Sequence, residues 1–267
     1  MNRIDHVVEQ LKTANKKILS PYITAGDPEP SVTVDLMHAL VAAGADILEI
    51  GLPFSDPMAE GPVIQAAMER ALAHHVTCDD VFAMVQQFRK KDNKTPIVLM
   101  GYVNPIEQYG YERFAKQAQL SGIDATIIVD LPPEESGILT PFWPNAGLYN
   151  IYLCSPTTSD ERMRLINHLG RGYLYYVSLK GVTGADTFDL NSVKKNYKER
   201  KTQTELPVMV GFGIKTPEIA AQVAQFADGV IVGAALISQV LAAHTAGKNP
   251  TGAAAAFINK LREAMDT

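Results

Sequence analysis

The chain has 267 residues, is 46% hydrophobic and 20% charged, and carries a formal net charge of −5 with a pI of about 5.7. That composition supports a large core, and the absence of a basic stripe argues against a nucleic-acid partner. The most apolar long stretch, Gly229 to Ala243, is too short to span a bilayer and contains Ser238 and Gln239.

In chain order, the N-terminal MNRIDHVVEQLKTANKK lacks the apolar core of a signal peptide and reads as an amphipathic helix over residues 1–15. Eight short apolar runs follow: ILSPYIT (18–24), DILEIG (46–51), PIVLMGY (96–102), ATIIVD (125–130), YNIYLC (149–154), GYLYYVS (172–178), PVMVGFG (207–213) and DGVIVG (228–233). Helical patterns lie between them, with Ser31, Ser159 and Thr216 as expected N-caps and Gly44, Gly122 and Gly170 as expected terminators. Strand–helix alternation over this length predicts one α/β domain spanning 1–267, a (β/α)8 TIM barrel whose extra N-terminal helix covers its bottom. An open doubly wound sheet is the competing fold, but no G-x-G-x-x-G follows the first strand. GADILEI, GIDATIIVD and FADGVIVG each place a small residue and an Asp ahead of a strand, a weak repeat of the βα unit.

Alternation along DILEIG turns Leu48 and Ile50 toward the helices and Ile47, Glu49 and Gly51 toward the barrel interior. Glu49 then sits near a strand's C-terminal end, where barrels carry chemistry. A structural ion pair would need a cation, and none of the eight strand cores contains Lys or Arg. An unpaired buried carboxylate has a raised pKa and suits general acid–base work. Glu60 follows in a loop stiffened by Pro53, Pro57 and Pro62, which can return it over the barrel mouth. Asp56 in Ser-Asp-Pro has the simpler reading of a turn cap.

Glycines after the last two strands, GFG (211–213) and VGAA (232–235), match the phosphate site that barrels build from loops and a helix N-terminus. The loop SLKGVTGAD (178–186) is a candidate lid with Thr183 as a donor. Inward positions Tyr22, Met100, Tyr102, Ile127, Val129, Leu153, Tyr173 and Tyr175 form barrel packing below and, near the rim, a pocket for a flat apolar substrate, with Phe212 over the ring. No lysine at a strand end offers a Schiff base, and the six histidines lie away from strand ends, so no metal site is expected. Cys78 and Cys154 form no disulfide or metal pattern, and a reducing, cytoplasmic location is the simplest reading.

LEIGLPFSDPMAEGPVIQ (48–65), with PYITAGDP, GYVNP, VDLPPEES, GVTGA and GFGI, resembles the tryptophan synthase α subunit family over essentially the whole chain. The resemblance implies retro-aldol cleavage of indole-3-glycerol phosphate to indole and glyceraldehyde 3-phosphate. It also implies an α2β2 partnership with a β subunit that alone carries pyridoxal phosphate, so no cofactor is expected in this chain. By position it implies Glu49 as acid–base residue, Glu60 at the indole N–H, Tyr175 as active-site tyrosine and Thr183 orienting position 60. Gly184, Gly213, Gly233 and Ala234 fall at phosphate positions, and Asp56, Pro57, Asp130 and Pro132 on the partner side. Three positions depart from the pattern: Glu60 where most members have Asp, Ala234 for a usual Ser, and Leu179 for a frequent Arg, with Lys180 beside it. Two rival readings are another phosphate-binding barrel lyase or isomerase and a non-catalytic subunit that activates a β partner.

Overall fold

The structure, a computed structural model, describes residues 2–178, 189–211 and 213–267. Its strands are β1 (Ile18–Thr24), β2 (Leu48–Gly51), β3 (Ile97–Gly101), β4 (Ala125–Ile128), β5 (Tyr149–Asn150), β6 (Leu153–Cys154), β7 (Leu174–Val177), β8 (Val208–Gly211) and β9 (Gly229–Val232). Its α-helices are α1 (Arg3–Thr13), α2 (Thr33–Ala42), α3 (Pro62–Ala73), α4 (Cys78–Arg89), α5 (Val103–Tyr109), α6 (Tyr111–Ser121), α7 (Asp160–Leu169), α8 (Leu190–Lys201), α9 (Pro217–Ala224), α10 (Ala234–Thr245) and α11 (Pro250–Asp266). All strand pairs are parallel, in the order β5-β4-β3-β2-β1-β9-β8-β7-β6.

The expected fifth strand is two pieces, and it closes the ring. Its first half pairs with β4 and its second with β7. The interruption at Ile151 and Tyr152 stays hydrogen-bonded: Ile151 N donates to Thr126 O and Tyr175 N to Tyr152 O. The sheet is therefore a TIM-type barrel rather than an open doubly wound sheet.

Alternation sorts the side chains as expected. Ile18, Tyr22, Ile47, Val98, Met100, Ile127, Tyr173, Tyr175, Met209 and Ile231 fill the interior. Leu48, Ile50, Leu99, Ile128, Tyr176 and Val230 pack under the helices. Across the bottom lies α1, with Ile4 fully buried in the interior cluster. Asn2 donates to Asp124 O and Tyr149 to Asp5, which pins α1 to the starts of β4 and β5.

The repeated Asp ahead of a strand has one structural job. Asp46 accepts from Leu19 N at 2.8 Å, Asp124 from Ile97 N at 2.9 Å and Asp228 from Val208 N at 2.8 Å. Each carboxylate thus satisfies a backbone donor of the neighbouring strand, and each has a cationic partner: Arg262, Arg89 with Arg3, and Lys201.

Two expected caps differ. Ser31 lies inside a 3-10 turn, Pro30–Val32, and α2 starts after it with no side-chain cap. Thr33, the first residue of α2, instead takes the Gly26 N–H. Gly170 has φ −68°, so left-handed backbone is not the reason for a glycine there; a Cβ would crowd the Ile166 carbonyl at 2.8 Å. Ser159 and Thr216 cap α7 and α9, and Gly122 ends α6 in the left-handed conformation, as expected.

Candidate active site

Residues from the C-terminal ends of the strands enclose a cavity of about 350 Å3. Glu49 stands in its wall and is fully buried. Tyr173 Oη donates to Glu49 Oε1 at 2.6 Å, and Ser20 Oγ approaches the same oxygen at 3.4 Å. Glu49 Oε2 is sealed from solvent and has no hydrogen-bond partner among the described residues. A buried carboxylate oxygen left so is costly unless a proton or ligand group satisfies it. Burial pushes the Glu49 carboxyl up to about 7; the two hydroxyls pull it down and the Glu60 charge pushes it further up. Among the described residues no cation is one of the groups acting on it.

Glu60 lines the same cavity at 8% exposure, and burial raises it also to about 7. Its loop is held from below. Ala59 N donates to Tyr102 Oη at 3.2 Å, Glu60 N to Pro57 O at 3.0 Å, and Phe54 packs on the Tyr102 ring. After Glu60 comes Gly61 at the N-cap, and Pro62 starts α3 with its fixed φ, so the acid is delivered at a helix entry.

Two tyrosines line the walls and each lies over a strand-end glycine. A Cβ on Gly51 would collide with the phenol of Tyr22, and one on Gly211 with that of Tyr175. Only the missing side chains let these rings lie flat and leave the cavity open. Met100, Val129 and Leu153 complete the apolar wall, and Gly213, Gly233 and Ala234 form the opposite end. There the first residues of α10 offer backbone N–H groups without intrahelical partners; the first helical bond is Ile237 N to Gly233 O.

Of the residues expected at the site, Tyr22, Glu49, Glu60, Met100, Val129, Leu153, Tyr175, Gly213, Gly233 and Ala234 meet around this one cavity. Tyr102 and Ile127 do not line it: Tyr102 is buried beneath the acidic loop, and Ile127 lies in the interior packing. Thr183, Gly184 and Phe212, with Leu179 and Lys180, lie outside the described residues. Asp56 is exposed and Pro57 partly so, on the outer side of the loop. Asp130 accepts from Val103 N.

Sequence reasoning did not assign Tyr173 and Ser20 to Glu49, nor Lys215, Val63, Ile64 and Val177 to the cavity. The register carried the first signal. Tyr22 faces Glu49 across β1 and β2, so Ser20, two residues earlier, points inward as well. Among the described residues no three His, Cys, Asp or Glu side chains gather as a metal site. Burial pushes the Cys154 thiol up to about 12, which leaves no thiolate nucleophile.

A model of the family described as tryptophan synthase alpha chain matches residues 8–266. A tryptophan synthase alpha chain of Legionella pneumophila (strain Corby) is 64% identical over 266 residues, covering 100% of this chain and 98% of the relative. One from Methylococcus capsulatus (strain Bath) is 49% identical over 266 residues, covering 100% of both. The crystal structure of tryptophan synthase subunit alpha from Legionella pneumophila strain Paris superposes with a TM-score of 0.96 at 62% identity, covering 100% of this chain and 99% of that one.

Proposed function

The chain belongs to the tryptophan synthase alpha chain family, a family of carbon–carbon lyases that cleave indole-3-glycerol phosphate to indole and glyceraldehyde 3-phosphate, and on that premise we propose how this cavity performs the cleavage. The indole ring lies among Tyr22, Met100, Val129, Leu153 and Tyr175, and the phosphate meets the N–H groups around Gly213, Gly233 and Ala234. Glu49 enters as carboxylate and takes the proton of the hydroxyl on the carbon bonded to the ring. Glu49 passes that proton to the ring carbon, which leaves the ring positively charged. As the hydroxyl oxygen becomes the aldehyde carbonyl, the carbon–carbon bond breaks, its electron pair neutralises the ring, and the net reaction needs no water and no redox partner. Glu60 accepts the indole N–H and stabilises the positive charge that the ring carries when protonated.

The observation that carries this reading is Glu49 Oε2, shut from water, without a partner among the described residues, in the wall of an apolar cavity. Tyr175 packs the ring, and Tyr102 acts from below by fixing the Glu60 loop rather than by touching substrate. Thr183 and Gly184 keep the lid and phosphate roles that the resemblance implies, and Phe212 keeps the place over the ring expected from the sequence. The whole chain acts as one barrel domain.

The partner in this reading is a β subunit, in an α2β2 assembly that holds pyridoxal phosphate in the β chains only. Asp56 and Pro57 face it from the outer side of the acidic loop. No helix among the described residues is long and apolar enough to cross a membrane, and the proposed location is the cytoplasm. The test is indole release from indole-3-glycerol phosphate by this chain alone and with excess β subunit. A slow reaction accelerated by the partner is expected. Folded, partner-binding chain that releases no indole in either condition would make it a regulatory subunit instead.

A further inference from the structure

We propose that Lys215 is the phosphate-side cation of the cavity, setting affinity for the dianionic end of the substrate; the identity of that substrate rests on the lyase reading above. Among the described residues that line the cavity, the charged ones are Glu49, Glu60 and Lys215. The acids belong to the ring end. Lys215 follows Gly213 and Ile214 at the glycine end, across from Gly233, Ala234 and Ala235.

Its backbone is fixed on both sides. Ile214 is 5% exposed in the outer core, and Thr216 caps α9 by accepting from Ile219 N, with Pro217 in the first turn. The side chain itself is exposed and free to reach. Lys16 and Lys201 pair with Asp266 and Asp228, but Lys215 forms no ion pair with any described residue. It also sits just ahead of the N-terminus of α9 and across the cavity end from that of α10, where helix dipoles disfavour a cation. An unpaired lysine two residues ahead of one helix, lining the same cavity as the first residues of another, is an arrangement suited to a bound anion.

The substrate's phosphate carries about −1.5 to −2 near neutral pH. It must enter a molecule of net charge −5 and a cavity lined by the acids Glu49 and Glu60. Ala234 and Ala235 offer backbone N–H groups there but no hydroxyl, so Lys215 adds the missing charged donor. It would act on substrate capture more than on the chemical step.

The test uses the full chain with excess β subunit and the variants Lys215→Ala and Lys215→Arg. Lys215→Ala is expected to raise KM for indole-3-glycerol phosphate by about fivefold to tenfold at low salt, with kcat within about twofold. Lys215→Arg should restore most of the loss, and added sodium chloride should raise KM less steeply in Lys215→Ala than in wild type. In a binding arm on the chain alone, Lys215→Ala should weaken glycerol 3-phosphate by a similar factor and leave indole unchanged. Unchanged KM and unchanged glycerol 3-phosphate affinity would overturn the proposal, as would an equal loss of indole binding. If wild type cleaves nothing, the lyase reading fails by itself, and the glycerol 3-phosphate arm still decides the role of Lys215.

Discussion

Glu49 is held by one oxygen and left bare at the other. Tyr173 and Ser20 orient the carboxyl while burial keeps its pKa near the working pH, so it gives and takes a proton at similar cost. The same feature costs stability, with a definite sign. A carboxyl raised from 4.5 to about 7 binds more protons folded than unfolded, so its contribution to stability falls as pH rises from about 4.5 to 7 and is constant above. Glu49→Gln keeps an acceptor for Tyr173 and does not titrate. It should therefore gain on wild type through that window, reaching on the order of 3 kcal/mol above pH 7. Chemical denaturation of both proteins at pH 5 and pH 8 measures it; a difference that does not grow with pH would mean that Glu49 is not shifted upward. For activity, the acid limb of kcat/KM should fall near pH 7 as a property of the Glu49–Glu60 pair, because the proposed roles need both as carboxylates on the free enzyme.

The strands and their loops set these residues in place, and the Asp ahead of β2, β4 and β9 ties each strand start to its neighbour. Asp124 is 4% exposed and bridges Arg3, Arg89 and Ile97 N. Asp124→Ala takes the 3.0 Å carboxylate from the 8%-exposed Arg89, leaving it Asp92 at 4.0 Å, and should cost about 3 kcal/mol, with kcat near wild type where the protein is folded. A thermal melt with activity at 25 °C checks both halves; a small loss of stability would mean that the repeat is decorative. This scale was also the most legible one. Period-two alternation placed Ile47, Glu49 and Gly51 inside, and strand–helix alternation gave the barrel, because burial selects residue type residue by residue. The split fifth strand was not legible, since it depends on which neighbours each half meets. Ser31 looked like a cap, but a 3-10 turn carries the chain into α2. Tyr102 alternated inward yet ended under the Glu60 loop, because the strand turns into α5 at that residue. Lys215 carried no periodic signal: a loop lysine reads as solvated until the fold sets it in the wall of the cavity.

Across the whole molecule, the barrel separates charge along one cavity, with two neutralisable acids at the ring end and N–H groups with Lys215 at the other. In the proposed binding mode the phosphate lies at the glycine end and the indole at the acid end, which brings the reactive carbon to Glu49. The partner, in the proposed assembly, closes over the exposed outer loop that carries Asp56 and Pro57. The central claim is that Glu49 moves the proton, and the most direct measurement is indole release from indole-3-glycerol phosphate by Glu49→Gln in the presence of excess β subunit. Loss of at least about 10³-fold in kcat, with substrate and partner binding retained, is predicted for a group that acts in the transition state. A variant that still cleaves within about tenfold of wild type would contradict it and leave Glu49 as barrel packing.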